Sequence, residues 1–289
     1  MAAVLVLAGA AQALANPATN RLIADLLPPL RRAAAVGMKQ SGVQFGAFAA
    51  GLLLPTLAAA TSWRIALAVV SPLALIALVL ALRLPPDRQP DSADKRLTLP
   101  GRPNVPARWL IVYSLGVGMA LASLNTYLPL FAHEKLDFGE RTSGALIAAV
   151  GAAGVLARIG WTRISGRLSD ISTPLVLLAA TAACFVLLMP AAEVWPPLVW
   201  AGAIGLGGSA AAANAVSMVA VVRSTSFGAT GHASALVSMG FFGGFVLGPT
   251  TFGQLADSPA GYSAGWAMTG LSFAVSVLAG LQVRRTVNR

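Results

Sequence analysis

Charge and cysteine are what this sequence has least of. Only 10% of its 289 residues are charged, with 10 Asp and Glu against 20 Lys and Arg. A soluble domain usually carries about 25% charged residues, so this chain cannot cover a water-facing surface. One cysteine and two histidines exclude an internal disulfide and supply no metal-ligand cluster. No loop gathers a nucleophile, a base and an acid, so we expect neither an enzyme nor a bound cofactor.

Long apolar runs take the place of charge. Each has roughly 20 residues, enough for a helix to cross a bilayer core of ~30 Å. Ala and Leu dominate the runs, and none alternates with the period of a barrel strand. The sequence therefore predicts an all-α, polytopic membrane protein with nine transmembrane helices. The predicted spans are residues 2–24, 35–58, 65–82, 109–131, 142–161, 174–192, 197–222, 233–256 and 262–283.

Basic residues collect in alternate turns between the predicted spans. Five such segments hold 17 of the 20, and only Arg64, Lys135 and Arg141 lie on the other side. The positive-inside rule then places the C-terminus in the cytoplasm and the N-terminus of this chain outside. Because the Lys and Arg residues lie in short turns and not on one face of a soluble domain, they also argue against a nucleic-acid partner. We expect a multi-pass protein of the inner or plasma membrane, with the lipid bilayer as its surroundings.

A linker and an internal repeat organise the chain. The proline-rich segment 84–107 has no helical or strand period, and it separates three spans in 1–83 from six in 108–289. A shift of 198 residues moves the first three spans onto the last three, carrying Asn16 to Asn214 and Gly42 to Gly240. The same shift puts the partners of spans four to six before residue 1. Because parallel repeats of six helices are a known transporter architecture, we expect about 90 N-terminal residues to be missing.

The segment Arg158–Asp170 is predicted to be a basic cytoplasmic turn. Its second half, Gly166-Arg167-Leu168-Ser169-Asp170, is similar to the turn between the eighth and ninth helices of the major facilitator superfamily. With the span count, the orientation and the repeat, the chain resembles that family from its fourth helix to its twelfth. The resemblance implies a two-lobe bundle with an incomplete N-terminal lobe.

That resemblance also implies secondary active transport of a small solute by alternating access, in a monomer. A truncated remnant that does not transport is the alternative, because three missing helices would remove one wall of the cavity. The family usually continues its turn with a basic residue after the Asp, whereas Ile171 follows here. The contact between the two lobes that this turn makes in the family is therefore expected to be weaker here.

Asp170 and Lys39 form this expected contact. The family implies that Asp170 faces the helix start near Lys39 when the cytoplasmic side is closed, a contact worth about 0.3–1 kcal/mol at an exposed helix end. Asp170 could instead balance Arg167 or cap its own turn, and the sequence leaves these alternatives open. Arg158 is expected near the cytoplasmic edge, with its long side chain reaching toward the surface.

Uncharged polar side chains within the spans are the candidates for the solute path. Gln12, Asn16 and Asn20 are four residues apart and form one stripe on the first span. Asn125 and Tyr127 lie on the fourth span, and Asn214 lies on the seventh. These two spans and the first match family helices that line the central cavity. Hydrogen bonds between helices, worth ~0.6 kcal/mol each, are the alternative role. No carboxylate lies deep in a span, so proton coupling stays open.

Overall fold

The computed structural model describes residues 15–83 and 102–287, which fold into helices joined by short turns. No strand occurs in these two ranges. The helices are α1 (15–26, its described part), α2 (Pro29–Ala60), α3 (Trp63–Leu82), α4 (Val105–Leu136), α5 (Glu140–Arg167), α6 (Ser172–Val186), α7 (Leu188–Ala191), α8 (Leu198–Arg223), α9 (Thr230–Ala256) and α10 (Gly261–Val287).

The predicted all-α, multi-span architecture is confirmed. Within residues 15–83 and 102–287, seven helices are long and apolar enough to cross a membrane, taking α6 and α7 as one span. Each predicted span from 35–58 onward coincides with a helix to within one residue at either end or is extended by it. The described part of the first predicted span, 15–24, is helical, and its earlier residues lie outside the described ranges.

Local chemistry explains several helix ends. Asn104 caps α4, since its side-chain oxygen accepts a hydrogen bond from the Ala107 amide at 3.0 Å. At the other end of α4, Asp137 takes the left-handed conformation with φ of 53°. Pro190 has no N–H to donate to the Val186 carbonyl, and α6 ends at Val186. The break between α6 and α7 therefore follows from one proline.

The predicted turn Arg158–Asp170 is wrong over most of its length. Helix α5 continues to Arg167, so only the last few residues before α6 form a turn. The basic residues misled the prediction because they are typical of helix ends, while the Ala- and Ile-rich stretch around them still favours a helix. Arg158 consequently lies about 14 Å inside the end of α5, at 1.5 Å per residue.

Helices α4 and α8 form the core. The most apolar stretch of α8 is 89% buried and that of α4 is 67% buried. Glycines at four-residue spacing let α9 approach α4 backbone to backbone: a Cβ at Gly240 would lie 2.6 Å from the Ile111 carbonyl oxygen. Gly244 and Gly248 meet the backbone of α4 in the same way. Close packing explains this stripe of small residues.

The described chain divides into two compact units. One contains residues 15–44 and 103–287, and the other contains 45–83, which is the end of α2 and all of α3, together with residue 102. The predicted lobes, 1–83 and 108–289, stay a prediction. Most of the predicted linker 84–107 lies outside the described ranges.

The helix bounds agree with the internal repeat. Shifting Trp63, the first residue of α3, by 198 residues gives Gly261, the first residue of α10. The same shift moves α2 onto residues 227–258, which α9 (Thr230–Ala256) nearly fills. We refer to α1–α3 as the first triplet and to α8–α10 as the second triplet.

Candidate functional site

Lys39 is the centre of a polar cluster between α1 and α2. Its Nζ donates to the side-chain oxygens of Asn16 at 3.1 Å, Thr19 at 3.0 Å and Asn20 at 2.6 Å. The three acceptors lie at i, i+3 and i+4 on α1 and therefore on one face. All three N–H groups of the ammonium are used, and every acceptor is neutral.

The two asparagines extend this cluster to α9. The amide nitrogen of Asn16 donates to the Ser238 hydroxyl at 3.2 Å, and that of Asn20 donates to the Ser234 hydroxyl at 3.0 Å. Each amide thus accepts from Lys39 through its oxygen and donates to a serine through its nitrogen. We call the six residues the Lys39 cluster: Asn16, Thr19, Asn20, Lys39, Ser234 and Ser238.

Asn20 also contacts its own counterpart in the repeat. Its amide nitrogen lies 3.5 Å from the sulfur of Met218, which is 198 residues further along the chain. Two positions related by a repeat can touch only near the axis that relates the two copies. The Lys39 cluster therefore lies beside the symmetry axis of the two triplets.

Arg158 joins three helices. Its Nη1 donates to the Gln40 carbonyl of α2 at 2.6 Å, and its Nε donates to the Ala211 carbonyl of α8 at 3.1 Å. The residue is only 3% exposed, so its side chain does not reach the surface as the sequence predicted. That prediction is wrong because Arg158 is about two and a half helical turns from the end of α5.

Small residues bring α2 and α5 together beside Arg158. A Cβ at Gly37 would collide with the Thr162 side chain, and one at Gly166 would lie 2.8 Å from the Cβ of Ala33. Gly166 belongs to the motif that carried the family resemblance. The structure uses it for close contact with α2.

Asp170 caps the start of α6. Its carboxylate accepts hydrogen bonds from the Ser172 amide at 2.9 Å, the Ser172 hydroxyl and the Thr173 hydroxyl at 2.6 Å, and it lies 3.6 Å from Arg284 Nε. Partial burial raises the pKa of Asp170, but these hydrogen bonds and Arg284 lower it more, so the pKa lies below its ordinary value. Asp170 and Lys39 do not pair in this structure, and the capping alternative describes Asp170 here.

The other candidate residues are more scattered. Asn214 is buried on α8, and its side-chain oxygen has no hydrogen-bond partner in the described ranges. Tyr127 stacks on Phe252 with ring centroids 4.3 Å apart and donates to the Pro249 carbonyl at 3.1 Å, so it links α4 to α9. Asn125 and Arg167 are exposed. Gln12 lies outside the described residues.

Sequence reasoning missed the partners of the predicted residues. Ser234 and Ser238 are fully or almost fully buried and sit at i and i+4 on α9, the same spacing as Asn16 and Asn20. That matched spacing in another span of the same repeat was the available signal. Gln40 contributes a backbone carbonyl, which no side-chain pattern reveals.

A cleft between α2 and α5 lies close to these groups. Its volume is about 100 Å³, and most of its surface is apolar. Neither Lys39 nor Arg158 lines it. Its six lining residues are Ala34, Met38, Ser41, Ile159, Thr162 and Arg163. The cleft therefore has little in common chemically with the Lys39 cluster.

Solved structures of transporters share this fold. The E. coli fucose:proton symporter FucP matches with a TM-score of 0.69 and 17% identity, over 92% of this chain and 72% of its own. A bacterial homologue of the iron transporter ferroportin, in an outward-facing state, matches with 0.69 and 14% identity, over 92% and 66%. The human organic anion transporter MFSD10 gives 0.60 and 15%, over 92% and 67%.

Sequence comparison points to the same family. A search of curated protein sequences found no significant match. The family model described as Major Facilitator Superfamily matches residues 1–209, which is more than half of the chain. With the helical architecture and the structural likeness, that match identifies a multi-pass membrane protein: the chain belongs to the major facilitator superfamily, a family of transporters.

Proposed function

We propose that this protein moves a small solute across the inner or plasma membrane by alternating access. The observation that carries the proposal is the pair of hydrogen bonds from Asn16 and Asn20 on α1 to Ser238 and Ser234 on α9. These bonds join the two triplets, which the repeat assigns to different lobes. Polar contacts of this kind can be exchanged for water when two helices separate, whereas interdigitated apolar side chains cannot.

The contacts of the Lys39 cluster close the predicted cytoplasmic side. Arg158 adds a contact between α5 and the Gln40 carbonyl of α2, and Gly37 and Gly166 allow those helices to meet. The α2 residues among these groups, Gly37, Lys39 and Gln40, lie in the half of α2 that follows the short turn from α1. A closed cytoplasmic side corresponds to an outward-facing state, the state of the ferroportin homologue with a similar fold. We expect a monomer with its C-terminus in the cytoplasm.

The test asks whether the buried contact between α1 and α9 opens. Ser238 is 2% exposed, so a cysteine at this position reacts with a membrane-impermeant maleimide only when α9 separates from α1. The variant is Ser238→Cys in a Cys184→Ser background, because Cys184 is exposed. We expect slow but complete labelling from the predicted cytoplasmic side of inside-out vesicles.

A matched control separates opening from unfolding. Ser276 is fully buried where α10 meets α4, within the second lobe, and its hydroxyl donates to the Tyr113 carbonyl at 3.1 Å. Ser276→Cys in the same background should stay unlabelled. Labelling of neither cysteine would favour the non-transporting remnant, and equal labelling of both would show general loosening of the helices.

A further inference from the structure

Two positive charges lie inside the helix bundle beside the same turn of α2: Lys39 on α2 itself and Arg158 on α5. Lys39 is half-buried in its cluster, and the next residue, Gln40, accepts a hydrogen bond from the buried Arg158 at 2.6 Å. At 1.5 Å per residue, Lys39 is about 15 Å from the first residue of α2, and Arg158 is about 14 Å from the last residue of α5. Both charges are therefore well away from the helix ends.

Within the described residues, no acid pairs with either charge. The sequence contains no Asp or Glu between residues 26 and 86, 141 and 169, or 194 and 256. These intervals include all of α2, α8 and α9 and nearly all of α5. In the described ranges, Asp25 lies 3.6 Å from Arg21 and Asp170 lies 3.6 Å from Arg284, and both pairs are partly exposed. Lys39 and Arg158 have only neutral acceptors there.

Neutral oxygens solvate a buried cation but do not cancel its charge. Desolvated charges without a counter-ion are costly, and in membrane proteins they mark substrate and ion pathways. The hydroxyls of Ser234 and Ser238 already accept from Asn20 and Asn16, and their own protons have no acceptor in the described ranges. The cluster therefore combines a net positive charge with two hydroxyl groups free to donate.

We propose that the solute of this path is an anion with a carboxylate or phosphate group, and that Lys39 is its first ligand. The proposal rests on the proposed transport function and names the class of solute. Lys39 is only half-buried, and an anion beside its ammonium would replace the weaker, neutral acceptors Asn16, Thr19 and Asn20. The serine hydroxyls would donate to the remaining oxygens of the anion.

Arg158 supplies the second positive group. Its Nη2 has no hydrogen-bond partner in the described ranges, and its Nη1 is held by the Gln40 carbonyl. When α2 moves away from α5, that carbonyl leaves, and the guanidinium becomes free on the α2 side. The planar guanidinium matches carboxylate and phosphate oxygens, whereas a lysine acts as a point charge.

The experiment measures thermal unfolding of the full chain in nanodiscs. The probes are sodium succinate, sodium lactate and sodium phosphate. The controls are glucose at matched osmolarity and choline chloride at matched ionic strength. A ligand present at about 100 times its dissociation constant should raise Tm by roughly 5–10 °C for a chain of this size. We expect that rise with at least one anion and no rise with glucose or choline. Testing succinate and phosphate separately distinguishes a site for carboxylate from a site for phosphate.

Variants assign the response to the cluster. Lys39→Gln should abolish the anion response while leaving the ligand-free Tm equal or higher, because an uncompensated charge is removed. Arg158→Lys keeps the positive charge but loses the planar group, so it should weaken the response. It takes the place of Arg158→Gln if that variant fails to fold. Arg163→Gln, an exposed site one turn along α5, should respond like the parent protein.

Three results would overturn the assignment: no anion raises Tm, glucose raises it equally, or Lys39→Gln keeps the full response. Labelling of Ser238→Cys is independent of any ligand and separates the two proposals. Labelling without an anion response leaves alternating access standing and removes the anion. An anion response without labelling removes alternating access and leaves an anion-binding protein.

Discussion

Helices α3 and α10 occupy the same place in the repeat but have different surroundings. Both begin at equivalent positions, Trp63 and Gly261. Of their most apolar stretches, 6% is buried in α3 and 44% in α10. Two segments that begin at equivalent positions of the repeat thus differ in how much of their surface is buried. Apolar length determines where a membrane helix forms, and neighbouring helices determine which of its faces are packed.

The glycines of the two triplets show the same contrast. Gly240 lies against the backbone of α4, whereas a Cβ at its counterpart Gly42 would meet nothing within 4 Å. The same residue type at the same place in the repeat is therefore needed for packing in one triplet and open to substitution in the other. Each of the following predictions tests this contrast, from the largest effect to the smallest.

The largest effect is expected at the glycine pair. Gly240→Leu would force a side chain into the Ile111 carbonyl and should destabilise the fold by about 3 kcal/mol or more. Gly42→Leu should change stability by less than about 0.5 kcal/mol, since it touches nothing in the described structure. Thermal unfolding and the monodisperse yield after detergent extraction measure both. A loss at Gly42 as large as that at Gly240 would mean that another surface covers Gly42.

The asparagine pair comes next. Asn16→Leu removes one of the three acceptors of Lys39 and the donor to Ser238. The free energy of unfolding should therefore fall by about 1–3 kcal/mol. Its counterpart Asn214 has a buried side-chain oxygen without a partner in the described ranges, and Asn214→Leu should be neutral or stabilising. Tryptophan-fluorescence melting curves of the two variants provide the comparison. A larger loss at Asn214 would show that its oxygen has a partner, such as a solute or water.

The smallest effect concerns Asp170, whose counterpart under the 198-residue shift falls before Met1. Because its folded pKa is lowered, its contribution is fully present above the unfolded pKa of about 4 and is lost as pH falls through the folded pKa. Asp170→Asn should lower stability by less than about 1 kcal/mol at pH 7, since the contact with Arg284 is partly exposed.

Melting temperatures between pH 3 and pH 7 test that expectation. The difference between parent and Asp170→Asn should shrink toward the acid end. A difference that grows as pH falls would contradict the lowered pKa. Gly42→Leu, which contacts nothing in the described structure, should leave this profile unchanged and provides the matched control.

Most of the fold was predictable because apolar length is a local property. Each apolar run from 35–58 onward falls on one described helix, except 174–192, which covers both α6 and α7. The stripe of Asn16 and Asn20 was also predictable, since helical spacing places them on one face. Their partners were not, because Ser234 and Ser238 lie more than 200 residues away.

Arg158 shows where pattern reasoning fails. Basic residues are typical of helix ends, so three of them before Asp170 predicted a turn. The helix continues because its intervening residues favour that conformation, and the arginine is satisfied by carbonyls of two other helices. Backbone acceptors leave no trace in a sequence. The pairing of Asp170 with Lys39 stays a prediction, since in this structure Asp170 accepts hydrogen bonds at the start of α6.

The contact between Asn20 and Met218 has a consequence for how a solute is oriented. In a twofold dimer of identical subunits, a contact on the axis joins a residue to its own copy, and both sides present the same chemistry. Here one copy is an amide and the other a thioether, 3.5 Å apart. The two positions are equivalent in the repeat but differ in side-chain chemistry. A molecule with one polar end and one apolar end would therefore have a single favoured direction beside this axis.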